Sequence, residues 1–183
     1  MQAARATAAH STVTLNDTSS CQFSKSKSLG PIMVGGVKKV IVERAETEDG
    51  RDYVRAAHDG YLSAFGYVHE REISLNASGT IVAGRDRFFT PEGKKHQPKG
   101  EGIASARFHI HPSISLLQTE TDAALLIAPD GETWVFSSPG NEVLVAEDIF
   151  FADPSGMRSS DQLEIVFKIT EKPEIRWFLS HRP

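Results

Sequence analysis

The chemistry available to this chain lies mainly in its seven histidines, set beside a single cysteine. His109 and His111 stand two apart in Arg107-Phe108-His109-Ile110-His111-Pro112. In an extended strand, positions i and i+2 face the same way. Arg107, His109 and His111 therefore share one face, and Phe108 and Ile110 share the other. Two imidazoles on one strand face suit a divalent metal. They equally suit a polar sheet face on which each ring bonds to a neighbouring strand. A metal-binding barrel of the cupin type needs an acid within a few residues and a later histidine. Here the first downstream acid is Glu120, and the next histidine is His181.

Other clusters are shorter. In His69-Glu70-Arg71-Glu72, His69 and Arg71 share a face with Ile73 and Leu75, so both need hydrogen-bond partners or a groove to line. His58-Asp59-Gly60-Tyr61 combines turn chemistry with an imidazole that Asp59 could polarise. Arg71, Arg85, Arg87 and Arg107 together could meet an acidic ligand, since guanidinium groups match carboxylate and sulfate. Read alone, His10 is one imidazole at the entrance to a strand, and Cys21 sits in a serine-rich segment with nothing to activate it. No nucleophile elbow, phosphate loop or metalloprotease helix is present.

The elements that must carry these residues are short. The chain has 183 residues, room for one domain with a proper core. Fourteen glycines and nine prolines break it into many pieces. Its net charge of −4 argues against a nucleic-acid partner, and no stretch approaches the roughly 20 apolar residues of a membrane span. Period-two runs recur instead of helical ones. Val37–Glu46 and Arg51–His58 flank Asp49-Gly50, a strong hairpin signal. Tyr67–Leu75 and Thr80–Phe89 flank Asn76-Ala77-Ser78-Gly79. An exposed loop is expected over Thr90–Gly102. Further strands are expected over Ile103–His111, Ser113–Gln118, Asp122–Ala128, Glu132–Phe136 and Glu142–Ala146. Gln162–Thr170 and Ile175–Ser180 read as a final pair around Pro173. One helical turn is expected, Tyr61–Phe65. Ten or more strands with little helix predict an all-β antiparallel sandwich, spanning residues 1–183 as one domain whose first 30 residues form an opening strand and loop.

The order of several segments resembles one family. Ala3–Thr12 comes first, with Asp17-Thr18-Ser19-Ser20 after it, then His58-Asp59-Gly60-Tyr61, Gly66–Arg71 and Arg107–Pro112. Asp161–Val166 and Ile175-Arg176-Trp177 close the set. Together they are similar to the C-terminal β-domain of heparinase II/III-like proteins, over residues from about 3 to 180.

That resemblance implies a β-sandwich packed against an N-terminal helical toroid, which lies outside this chain. It implies a lyase that cleaves acidic, uronate-containing polysaccharide by β-elimination, with most of the catalytic cleft in the toroid. It implies a structural zinc in the intact protein. His10-Ser11-Thr12 resembles the His-Asn-Thr stretch that supplies one zinc ligand, so His10 carries over as a metal ligand. The preceding His-x-His and Asp have no counterpart here, so this chain alone is expected neither to hold zinc tightly nor to cleave polysaccharide. Substrate-facing candidates are Arg107, His109, His111, His69 and Arg71. The family also implies a place in the cell envelope or periplasm. The alternative is a non-catalytic carbohydrate-binding or envelope-assembly sandwich.

Overall fold

The structure, a computed structural model, describes residues 3–28, 30, 32–92, 99–154 and 156–183. Two 3-10 turns, Ala3–Arg5 and Thr7–Ala9, open the chain. The strands are β1 (Val13–Leu15), β2 (Cys21–Phe23), β3 (Met33–Gly36), β4 (Val40–Glu46), β5 (Asp52–His58), β6 (Val68–Leu75) and β7 (Ile81–Phe89). They continue with β8 (Ile103–His109), β9 (Ser115–Glu120), β10 (Ala123–Ile127), β11 (Thr133–Ser137), β12 (Leu144–Asp153), β13 (Gly156–Lys168) and β14 (Glu174–Arg182). The one α-helical turn among the described residues, α1, is Leu62–Phe65, within the Tyr61–Phe65 turn that the sequence predicts. Residues 93–98 of the expected Thr90–Gly102 loop lie outside the described residues.

These strands form the antiparallel sandwich that the period-two pattern predicts. A small sheet has the order β1-β8-β13-β12, and a large one the order β4-β5-β6-β7-β14-β11-β10-β9. β2 and β3 form a separate ribbon. Alternation writes the core. Leu163, Ile165 and Phe167 on β13 are buried, as are Val13, Leu15, Ala104 and Ala106 on its sheet. Phe88, Phe136, Ile175 and Trp177 face them from the large sheet. Eight strands against four leave one margin uncovered, and all seven residues of the edge strand β4 are exposed. Ion pairs Arg44–Asp52 and Arg55–Glu43 tie this margin to β5 and put charge on the edge, which discourages stray strand pairing.

Two expectations need correction. The segments read as a final pair, now β13 and β14, lie in different sheets: β13 pairs with β8 and β12, and β14 with β7 and β11. Both carry strong apolar rows, and those rows bury best by facing each other across the core. Residues 169–173 cross between the sheets rather than closing a hairpin. Conversely, β12 and β13 form a long hairpin that reaches Asp153 and Gly156, well beyond the expected Glu142–Ala146 and Gln162–Thr170. Its outer part exposes Ile149 and Met157 and has no clean polar alternation to announce it.

Candidate functional site

His58, His69 and Arg71 gather into a polar centre inside the sandwich, and Arg107, His109 and His111 into another on the outward face of the small sheet.

The inner centre is built on Asp86, whose residue is 0% exposed. In β7 the inward row is Val82, Gly84, Asp86 and Phe88. Asp86 stands directly opposite Arg71 of β6. Its Oδ1 accepts from Arg71 Nε at 2.7 Å and from His69 Nε2 at 2.9 Å. Its Oδ2 accepts from Arg71 Nη2 at 2.9 Å and from Trp177 Nε1 at 2.9 Å. The indole reaches it because Gly84, opposite Trp177 in register, has no Cβ: one built there would lie 2.0 Å from Trp177 Cζ2. Burial by itself pushes the Asp86 carboxyl up. The Arg71 guanidinium, with the hydrogen bonds from His69 and Arg71, overcomes this and holds it well below the usual carboxylate range.

The hydrogen bonds also assign the imidazole tautomers. The Gly60 amide donates to His58 Nδ1 at 3.2 Å, so the His58 proton sits on Nε2. That nitrogen lies 3.3 Å from His69 Nδ1 and donates to it, so the His69 proton sits on its own Nε2, facing Asp86. Burial, and then the neighbouring His69, push the His58 pKa down to about 4, which keeps it neutral at neutral pH. Asp59 acts on His58 only through its charge, not through a hydrogen bond: its Oδ1 takes the backbone N–H groups of Lys38 and Lys39 at 2.7 and 2.9 Å.

Arg71 then joins the two sheets. Its guanidinium stacks over Phe108 of the small sheet and Trp177 of the large one, 5.5 and 5.6 Å from the ring centroids. Its Nη1 donates to the Ser11 carbonyl, next to His10. His69 and Arg71, expected to face substrate, thus sit in the interior with Asp86. Their polar groups hold the scaffold and the corner from which β1 starts.

The outer centre is the polar row of β8. Arg107 Nη2 pairs with Glu164 at 2.8 Å, and its Nη1 donates to Thr14 Oγ1 at 2.7 Å. Ser105 Oγ donates to the same Glu164 carboxylate. His109 Nδ1 meets Asp148 Oδ2 at 2.5 Å, reaching over the intervening strand β13. The residue paired with Asp148 on that strand is Ser160, small enough to let the imidazole pass, and its hydroxyl lies 3.5 Å from the same oxygen. His109 Nε2 has no hydrogen-bond partner among the described residues. The His109 amide donates to Ser11 Oγ at 3.0 Å. His111 lies just past the end of β8, bonded to Ser113 Oγ at 2.7 Å, with its ring 4.9 Å from that of Phe150. Arg107, His109 and His111 therefore remain neighbours on the outside. The arginines expected to act together are dispersed: Arg85 pairs with Glu72 and Arg87 with Glu70 on the outward face of the large sheet.

His10 is exposed at the end of the second 3-10 turn, in extended conformation. Among the described residues no three His, Cys, Asp or Glu side chains gather where they could hold a metal. A single imidazole does not satisfy the roughly four ligands zinc requires. The residues sequence reasoning missed are Asp86 and Asp148. Asp86 did carry a signal, as an acid on the inward side of a strand whose neighbours on that side are Gly84 and Phe88. Asp148 carried none, because its strand was read as ending at Ala146.

A family model for the heparinase II/III-like C-terminal domain matches residues 1–178. The chain belongs to the heparinase II/III-like family. Its sandwich resembles that of the heparan sulfate lyase HepC from Pedobacter heparinus, with TM-score 0.67 and 11% identity, covering 94% of this chain and 24% of that one. A heparinase III gene product matches with TM-score 0.66 and 12% identity, covering 98% and 24%. A further heparinase III structure matches with TM-score 0.63 and 11% identity, again covering 98% and 24%. At such identities the likeness is one of fold. The heparinase II/III-like domain described here spans about 24% of the length of these solved chains. No curated protein sequence matches it.

Proposed function

We propose that this chain is the β-domain of a polysaccharide lyase that cleaves acidic, uronate-containing polysaccharide by β-elimination, with a helical domain supplying most of the cleft. The observation that carries this reading is the family match over residues 1–178. In β-elimination a base removes the proton beside the uronate carboxylate, and an acid protonates the leaving oxygen. The carboxylate must be neutralised for that proton to become acidic enough. On this reading those groups belong to the helical domain, and the β-domain contributes the outward row Arg107, His109 and His111. Arg107 is already matched by Glu164, so its share is hydrogen bonding and orientation rather than net positive charge. His109 pairs through Nδ1 with Asp148 and keeps its Nε2 buried, so it shapes the row from beneath, while the exposed His111 presents its ring to the saccharide. His69 and Arg71 act from within, by holding the Ser11 corner.

The same reading places zinc in the intact protein with His10 as one ligand. The described residues do not by themselves complete a zinc site. It also places the protein in the cell envelope or periplasm, which fractionation of the native host checks. No helix among the described residues is long and apolar enough to cross a membrane.

The test is formation of unsaturated uronate product, followed by absorbance, on heparan sulfate, heparin and alginate. The 183-residue chain alone is expected to give none. The same domain joined to its helical partner is expected to give turnover, and Arg107→Ala or His111→Ala to lower kcat/KM about ten-fold, the worth of one good hydrogen bond. Turnover by the isolated chain overturns the division of labour. Binding without cleavage by the joined protein overturns the lyase reading in favour of a non-catalytic carbohydrate-binding sandwich.

A further inference from the structure

We infer that the corner between β5 and β6 is an acid-released latch, held to the sandwich by a neutral His58 that must accept a hydrogen bond from the Gly60 amide. The latch has one anchor that ignores pH and one that does not. Tyr61 is the first: it is fully buried, and its hydroxyl donates to the Val13 carbonyl at 2.8 Å. His58 is the second. Its Nδ1 accepts from Gly60 N–H and its Nε2 faces His69 Nδ1. A proton added at His58 Nδ1 would set donor against donor at Gly60. A proton added at His69 Nδ1 would set donor against donor at His58 Nε2. Either event breaks the chain of bonds that ends on Asp86, and the contact with least support behind it is the one at Gly60.

The corner has much to release. A Cβ at Gly60 would lie 2.7 Å from the Ser20 carbonyl oxygen and 2.9 Å from Val37 Cγ2, so this backbone is wedged against the segments at both ends of the β2–β3 ribbon. Asp59, one residue earlier, holds the amides of Lys38 and Lys39. Lys39, His58, Asp59 and Leu62 together wall a cavity of about 270 Å³ over the outward side chains of Ile41, Ala57 and Phe89. Losing the His58–Gly60 bond therefore loosens a cavity wall and the start of β4 together.

The groups facing His58 set the sign. His69 on β6 is its nearest titratable neighbour, with ring centroids 5.2 Å apart, and the Tyr61 ring lies 5.6 Å away. Behind His69 the Asp86 carboxylate on β7 is matched by Arg71. Asp59 favours the protonated form but ranks below burial and His69, which disfavour it. Lys39 stands across the cavity from it. The latched state thus takes up the proton less readily than the released state.

With 6.5 for the released imidazole and about 4 for the latched one, the released fraction rises, relative to pH 7, about eight-fold at pH 5.5 and towards about 240-fold well below pH 4. Nuclear magnetic resonance on the full chain tests this. Imidazole nitrogen shifts at pH 7 are expected to show both His58 and His69 protonated on Nε2. Hydrogen exchange of the Gly60 amide, corrected for the intrinsic rate, is expected to quicken by the factors above while β7 and β14 amides stay protected. In His58→Asn the side-chain oxygen replaces Nδ1 as acceptor but does not titrate, so Gly60 protection becomes flat from pH 7 to pH 4. A His58 proton on Nδ1 at pH 7 overturns the inference without need of any variant. So does a His58→Asn corner that opens with acid as the parent does, or a corner and core that lose protection together.

Discussion

Replacing Asp86 by Asn tests the central claim about what joins the two sheets. The substitution keeps the shape and removes the charge. Asp86 takes two N–H donors on each carboxylate oxygen: Arg71 Nε and His69 Nε2 on one, Arg71 Nη2 and Trp177 Nε1 on the other. Whichever way the Asn amide turns, its NH2 faces two donors. A buried donor left without an acceptor costs about 1–3 kcal/mol. Arg71, with its side chain 15% exposed, also loses its counter-ion, and breaking a buried ion pair costs about 3–5 kcal/mol. These costs overlap, so we expect a loss of about 4 kcal/mol, a large share of the roughly 5–15 kcal/mol that holds a domain together. For a chain of this length that is a fall in Tm of about 10 °C. Urea unfolding followed by circular dichroism measures it, with Trp177 fluorescence as a local reporter. Arg71→Met combined with Asp86→Asn is expected to cost at least about 2 kcal/mol less than the sum of the two single changes, because the double variant leaves no buried charge behind. An Asp86→Asn variant within about 1 kcal/mol of the parent, or a strictly additive pair, refutes the reasoning.

The other expectations are smaller in scope. Gly84→Ala drives a methyl into the indole of Trp177 and should cost about 3 kcal/mol, with a shifted tryptophan emission as its signature. Tyr61→Phe removes the bond to the Val13 carbonyl and should cost about 1 kcal/mol in urea unfolding. Because Asp86 is held below its ordinary value, its ionised form contributes stability above about pH 4, and that contribution disappears as the pH falls further. The parent should therefore lose stability steeply between pH 4 and pH 2, and Asp86→Asn should show a shallower decline. Ser160→Leu, which blocks the path of the His109 ring to Asp148, should shift the His109 imidazole resonances without changing those of His58 and His69.

Much of the architecture was legible locally. Turn residues marked the hairpins at Asp49-Gly50 and Ser78-Gly79, where both glycines take positive φ, and the period of two put Ile165, Phe167 and Ile169 on one face, which is the face the sandwich buries. Locally written information stopped where pairing ran through space. Nothing in Gln162–Thr170 or Ile175–Ser180 says whether they pair with each other or face each other, since an apolar row buries equally well either way. The outer half of the β12–β13 hairpin escaped for the opposite reason: its faces are not sharply divided, so it leaves no period to read.

The site divides along the same line. Which residues share a face follows from a period of two, and so the sequence alone already joined Arg107 to His109 and His69 to Arg71. Which face turns inward, and who stands across it, is set by the packing of one sheet on another. That packing turned His69 and Arg71 inward onto Asp86, left His109 outside to reach Asp148 over Ser160, and made Gly84 the space in which Trp177 lies. A strand can dictate the spacing of its own side chains. The partners of those side chains come from segments up to 93 residues away, as between Arg107 and Thr14, and only the folded sandwich brings them together.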